Sequence, residues 1–121
     1  MFQDSATTKE NFERFLKRVK ESGEVWGIQH SDGTWATSPS NEYDETLVFV
    51  FWSDKAYAKR HCKEIWSDSA PSMINLDSFI DNWLKGMHGD GHLVGPNWDA
   101  HFFGMEVEPI EVAQRLIEHN S

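Results

Sequence analysis

Cysteine is almost missing. Cys62 is the only one among 121 residues, so no internal disulfide can form and the chain is not a disulfide scaffold. That usage predicts a cytoplasmic location. Long apolar runs are missing too. The longest, Leu47-Val48-Phe49-Val50-Phe51-Trp52, has strand length, far short of the ~18–20 residues of a membrane span. The start, Met1-Phe2-Gln3-Asp4, has neither a basic nor an apolar character, and no signal peptide is expected. Eight glycines and four prolines exclude a collagen-like chain. Cations are scarce: eleven Lys and Arg face twenty Asp and Glu, for a net charge of −9. The balance is +1 over residues 1–23, −4 over 24–76 and −6 over 77–121. Such a surface repels phosphate backbones and anionic membranes, so neither nucleic acid nor membrane is an expected partner.

What is present describes one soluble domain, residues 1–121, with 39% hydrophobic and 26% charged residues and disorder expected at 1–6. Thr7 and Glu10 have capping-box spacing. Phe12, Phe15, Leu16 and Val19 then recur at helical steps up to Gly23, a helix stop. Glu24–His30 and Thr34–Thr37 flank Ser31-Asp32-Gly33, a hairpin signal with Gly33 left-handed. Leu47–Trp52 suits a central strand. Ser53 is placed as the cap of a helix whose inner face holds Ala58, Cys62, Ile65 and Trp66. Pro71 precedes a strand, Ser72–Leu76. Asp77 is placed as the cap of a third helix, with Phe79, Ile80, Trp83, Leu84 and Met87 as its stripe. His92–Gly95 and His101–Val107 read as strands around the turn Pro96-Asn97-Trp98-Asp99. Pro109 opens a last helix, with Ile110, Ala113, Leu116 and Ile117 facing inward.

The expected fold is α+β: a mixed, mostly antiparallel sheet of about five to six strands with about four helices packed on it. The crossover between Leu47 and Leu76 predicts at least one parallel pairing.

The chemistry-bearing residues offer no strong motif. His88-Gly89-Asp90-Gly91-His92 carries zinc-type ligands. Alternate spacing converges them only in an extended segment, and two glycines favour a turn. No metal or cofactor is expected; His88, Asp90 and His92 are the weaker alternative. Six tryptophans is a high count. Trp52, Trp66 and Trp83 lie on inferred buried faces, whereas Trp35 and Trp98 lie beside turns, where an aromatic can line a pocket or anchor a partner. Cys62, mid-helix on an apolar face, is expected to be inert packing. No nucleophile elbow, P-loop or dinucleotide fingerprint occurs, and no catalytic residue is assigned. Glu106 and Glu108, at a strand end, read as edge solubility.

Several stretches together resemble a known family. They are Phe15-Leu16, Ser22-Gly23-Glu24-Val25-Trp26-Gly27, Phe51-Trp52-Ser53-Asp54 with Tyr57-Ala58, Asn82-Trp83-Leu84, Asp90-Gly91, Leu93-Val94-Gly95, Asn97-Trp98 and Gly104-Met105-Glu106-Val107-Glu108-Pro109. This pattern resembles the domain of unknown function 2750, a family of small bacterial proteins, from about Asn11 to Ile117. The resemblance implies a single-domain bacterial protein and supplies no activity. His88 and His92 stand outside it.

The leading expectation is a non-enzymatic interaction module whose acidic surface neutralises a basic partner such as a toxin. The alternative is a small-ligand binder or enzyme using a pocket near the 86–101 turns. A homodimer sealed by a strand edge or the aromatic rim is a third possibility. The candidate binding residues are Trp35, Trp52, Asp54, Asp90, Asn97, Trp98 and His101.

Overall fold

Helix α1 spans Ser5–Ser22 and buries Phe12, Phe15, Leu16 and Val19 along one stripe. Gly23 ends it with φ 73°, donating its N–H to the Val19 carbonyl at 2.8 Å, the left-handed stop that its position predicts. A computed structural model describes residues 5–63 and 66–118. Most of the segment expected to be disordered, 1–4, lies outside the described residues, while Ser5 and Ala6 are already helical. Thr7 therefore sits inside the helix and does not cap it. Capping-box spacing is a local preference of about 1 kcal/mol, and it yields where the preceding residues extend the helix.

Five strands follow: β1 (Glu24–Gln29), β2 (Thr37–Pro39), β3 (Leu47–Phe51), β4 (Ala70–Asn75) and β5 (Leu93–Pro96). They form two sheets, β1-β4 and β2-β3-β5. Trp26 and Trp52 stitch the sheets together by exchanging backbone N–H···O bonds of 2.8 and 2.7 Å. Pairing is antiparallel except between β3 and β5, where Val48 faces Leu93 and Phe51 faces Pro96. The fold is thus mixed α+β, as the sequence pattern indicates. The crossover partner differs from the simplest reading. β4 turns back antiparallel onto β1, from Glu24↔Asn75 to Gln29↔Ala70, and β5 takes the parallel place beside β3.

Helix α2 is only Lys55–Lys59. Beyond it His61 and Cys62 donate to the carbonyls three residues back, a tightening that ends α-helical pitch. Ile65, placed on its inner face by the sequence, lies outside the described residues. Asp54, not Ser53, is the N-cap residue, and its carboxylate makes no cap bond because Arg18 holds it. Helix α3 begins at Leu76–Ser78, capped by Asn75 instead of Asp77: Asn75 Oδ1 accepts the Ser78 N–H at 2.8 Å. It widens to π-helical pitch over Phe79–Leu84 and finishes as Lys85–Asp90. Widening brings Phe79 and Leu84, five residues apart and both buried, closer to one face than the roughly 140° separation of a 3.6-residue pitch.

The segment expected as a strand over 101–107 is irregular, apart from the bridge of Val107 to Val94. Asp99 Oδ1 accepts the N–H groups of His101 and Phe103 at 2.9 and 3.2 Å. The side chain thus takes backbone donors that a strand would need. Helix α4, Pro109–Ile117, starts on proline as expected but buries Pro109, Val112 and Leu116. Ile110 and Ile117 face outward, 51% and 58% exposed. Both stripes have helical spacing, and packing against α1 and α3 selects the first.

Candidate functional site

The carboxyl ends of the parallel strands β3 and β5 meet in one junction. In open α/β sheets this is where ligands usually bind. Trp52 and Ser53 follow β3, and Asn97 and Trp98 follow β5. All four are buried. Asn97 adopts φ 49°, a conformation that asparagine tolerates better than most residues. Its N–H donates to the Phe51 carbonyl at 2.9 Å. Its side-chain Oδ1 accepts the Ser53 N–H at 2.8 Å, and its Nδ2 donates to Ser53 Oγ at 3.1 Å. The Asn97 amide is therefore spent on joining the two strand ends.

Trp52 Nε1 donates to the Trp98 carbonyl at 2.8 Å, and Arg60 Nη2 reaches the same oxygen at 3.2 Å. Trp98 Nε1 donates to the Met105 carbonyl at 2.8 Å. The Trp98 ring lies against Gly95, where a Cβ would come within 2.7 Å of it, so only glycine fits there. Both indoles are buried with their one donor satisfied, as interior tryptophan requires.

Asp54 sits at the edge of this junction. Arg18 grips both carboxylate oxygens, and Ser53 Oγ donates to Oδ1 at 2.7 Å. The Arg18 guanidinium above all, helped by the Ser53 hydroxyl, holds the Asp54 carboxyl below the usual carboxylate range. The pair lines one of two clefts near the junction. One, of about 400 Å³, is lined by Arg18, Glu21, Glu24, Trp26, Asp54 and Lys55 among others. The other, of about 510 Å³, is lined by Thr7, Asn11, Arg14, Tyr57, Arg60, Asn97 and Asp99.

The remaining sequence candidates lie elsewhere. Trp35 packs edge-on to Trp83 at 4.7 Å, partly buried over the main core. Asp90 is exposed at the end of α3, before the amino end of β5, whereas Asn97 follows its carboxyl end. His101 is exposed in the loop after Asp99. Trp52, Asp54, Asn97 and Trp98 are thus brought together, and Trp35, Asp90 and His101 are not. The histidine cluster is split as well. His88 and Asp90 are two apart on a helix and face different ways. His92 Nδ1 accepts the Leu47 N–H at 3.2 Å. Among the described residues no three His, Cys, Asp or Glu side chains converge as a metal set.

His61 went unassigned in the sequence, and it is the odd group of the site. It is buried between Trp52 and Phe102, with ring centroids 5.0 and 5.5 Å away. Its Nε2 has no hydrogen-bond partner among the described residues. Burial, then the charges of Arg60 and Lys63, push its pKa down to about 4, against a smaller opposing effect of Asp99. In the unfolded chain His61 titrates near 6.5. Between those values the unfolded chain binds the extra proton, so stability falls as pH drops from 6.5 towards 4. Urea titrations at pH 7 and pH 5 should differ by about 2 kcal/mol from this group. In His61→Phe that contribution should vanish.

The opposite end of the molecule is acidic. The loop 40–46 is tied down by Glu106, which accepts from Ser40 Oγ at 2.6 Å and from the Asn41 N–H at 2.9 Å. Glu106 is thus a loop anchor, beyond the edge solubility that its sequence position suggests. A shallow groove beside the loop is lined by Glu42, Tyr43, Asp44, Thr46, Gly91, Leu93 and Glu108. Tyr43 is 59% exposed, and Leu47, next in chain to the loop, is 38% exposed. Charge is sharply segregated. Residues 9–20 and 55–63 hold nine of the eleven cations and two of the twenty acids. The rest of the chain carries −16.

Among the described residues no helix is long and apolar enough to cross a membrane. A family model described as "Protein of unknown function (DUF2750)" matches residues 12–116. No curated protein and no solved structure matches the chain.

Proposed function

The chain belongs to the DUF2750 family of proteins of unknown function, and from that premise we propose that it is a bacterial, cytoplasmic binding module whose acidic face holds a basic protein. The observation that carries this reading is Tyr43, an exposed aromatic set among Glu42, Asp44 and Glu108. Tyrosine is a frequent interface anchor, and a ring of like charge around it steers an oppositely charged partner. Glu106 holds the loop in place before binding, which lowers the ordering cost. Leu47 extends the apolar part of the face. A nuclease toxin, basic because its substrate is a polyanion, has the required chemistry.

A two-fold homodimer through this face would set acid against acid, because both copies present the same patch. The partner is therefore a different protein. The test is capture on immobilised wild-type chain and on Tyr43→Ala, at low and at moderate salt. A basic protein should bind the wild type, weaken with salt, and bind Tyr43→Ala about 30-fold less tightly, the loss of an anchor worth about 2 kcal/mol. The same captured proteins on both surfaces would overturn the reading.

A further inference from the structure

The second cleft lies at the basic end, away from the acidic face, and its chemistry is different. It opens between α1 and the end of α2, beside the carboxyl end of β5, and its volume of about 510 Å³ is in the range of small-molecule sites. Arg14 and Arg60 both line it. Arg14 is steadied by Asn11 Oδ1 at 3.0 Å. Arg60 is fixed by the Trp98 carbonyl at 3.2 Å and lies over the Tyr57 ring at 5.4 Å. The ion pairs among the described residues are Arg18–Asp54 and Arg115–Glu13. The hydrogen bonds of Arg14 and Arg60 thus go to neutral oxygens and leave guanidinium donors for something else, although Asp99 also lines the cleft and the Arg14 charge reaches Asp54.

We infer that this cleft binds a small molecule through a terminal phosphate held between Arg14 and Arg60. Two guanidinium forks suit a dianionic tetrahedral group, whose several oxygens can accept from both at once. The cleft is larger than a phosphate needs, and the organic body of the ligand lies along Tyr57 and Asn11. A nucleic-acid strand does not fit the same chemistry. Its successive phosphates would run from the basic α1–α2 end onto a surface carrying −16 over the other residues, and be repelled there. The cations concentrate at the site, and the acids around it select for a short anion. This inference does not rest on the acidic-face reading, and either can fail alone.

The experiment is a titration of the ¹⁵N-labelled chain with inorganic phosphate, followed by amide NMR, with sodium chloride at matched ionic strength as control. The site predicts saturable shifts at 7–14, 57–60 and 97–99 in the millimolar range, and none of them with chloride. Arg14→Gln, on an exposed helix face and with its side-chain hydrogen bond going only to Asn11 of the same helix, should weaken binding about tenfold by removing charge-assisted bonds. Arg60→Lys should keep the charge, lose the fork and weaken it too. Shifts that grow linearly and match chloride, or saturable shifts that Arg14→Gln leaves unchanged, would overturn the inference.

Discussion

Asn97→Ala is expected to cost about 3 kcal/mol of folding stability. The substitution removes the acceptor of the buried Ser53 N–H and the donor to Ser53 Oγ. A buried backbone donor left unsatisfied costs roughly 1–3 kcal/mol. The new residue must also hold φ 49°, which adds about 1 kcal/mol for an alanine. Asn97→Gly separates the two effects: it relieves the backbone but still loses both side-chain bonds. Urea unfolding should therefore rank wild type above Asn97→Gly above Asn97→Ala. Equal stabilities would mean that the amide does not join the strands. The cost is large because a domain of this kind holds only about 5–15 kcal/mol in total.

Trp52→Ala should cost more, about 4 kcal/mol, a large share of the total stability of such a domain. The indole is fully buried and packs on His61 and Phe102, and its N–H closes on the Trp98 carbonyl. Trp52→Phe isolates the volume term. The Trp98 carbonyl keeps its bond from Arg60, so the phenylalanine variant should lose about 1–2 kcal/mol, from packing and one hydrogen bond. Thermal and urea midpoints of the two variants check this ordering. A Trp52→Ala chain as stable as wild type would contradict its place in the core.

These two residues show what the sequence made legible and where it stopped. Apolar period and stop signals locate α1, β1, β3 and β5 closely, because those features are local. A tryptophan or asparagine beside a turn reads equally well as a pocket wall or as a structural joint. The difference depends on partners more than forty residues away, Ser53 for Asn97 and Trp98 for Trp52. Asp54 is similar: its role comes from Arg18, thirty-six positions earlier. The inward face of α4 is half legible: Leu116 is buried and Ala113 packs on the core, whereas Ile110 and Ile117 face outward and Pro109 and Val112 take the inner positions, a choice that only the packed neighbours make. Tyr43 gave no signal in a polar loop. Its place in the acidic groove depends on Glu108 and on the Glu106 anchor, both more than sixty residues on. Arg14 and Arg60 likewise carry no motif, and only the fold sets them around one cleft.

The most direct test of the central claim is native mass spectrometry of the chain isolated from its own host at modest salt, with a Glu42→Lys/Asp44→Lys/Glu108→Lys variant purified in parallel. The acidic-face reading expects the wild-type chain to carry a basic polypeptide that the variant lacks. A wild-type chain of bare mass, or the same companion on both, would contradict it.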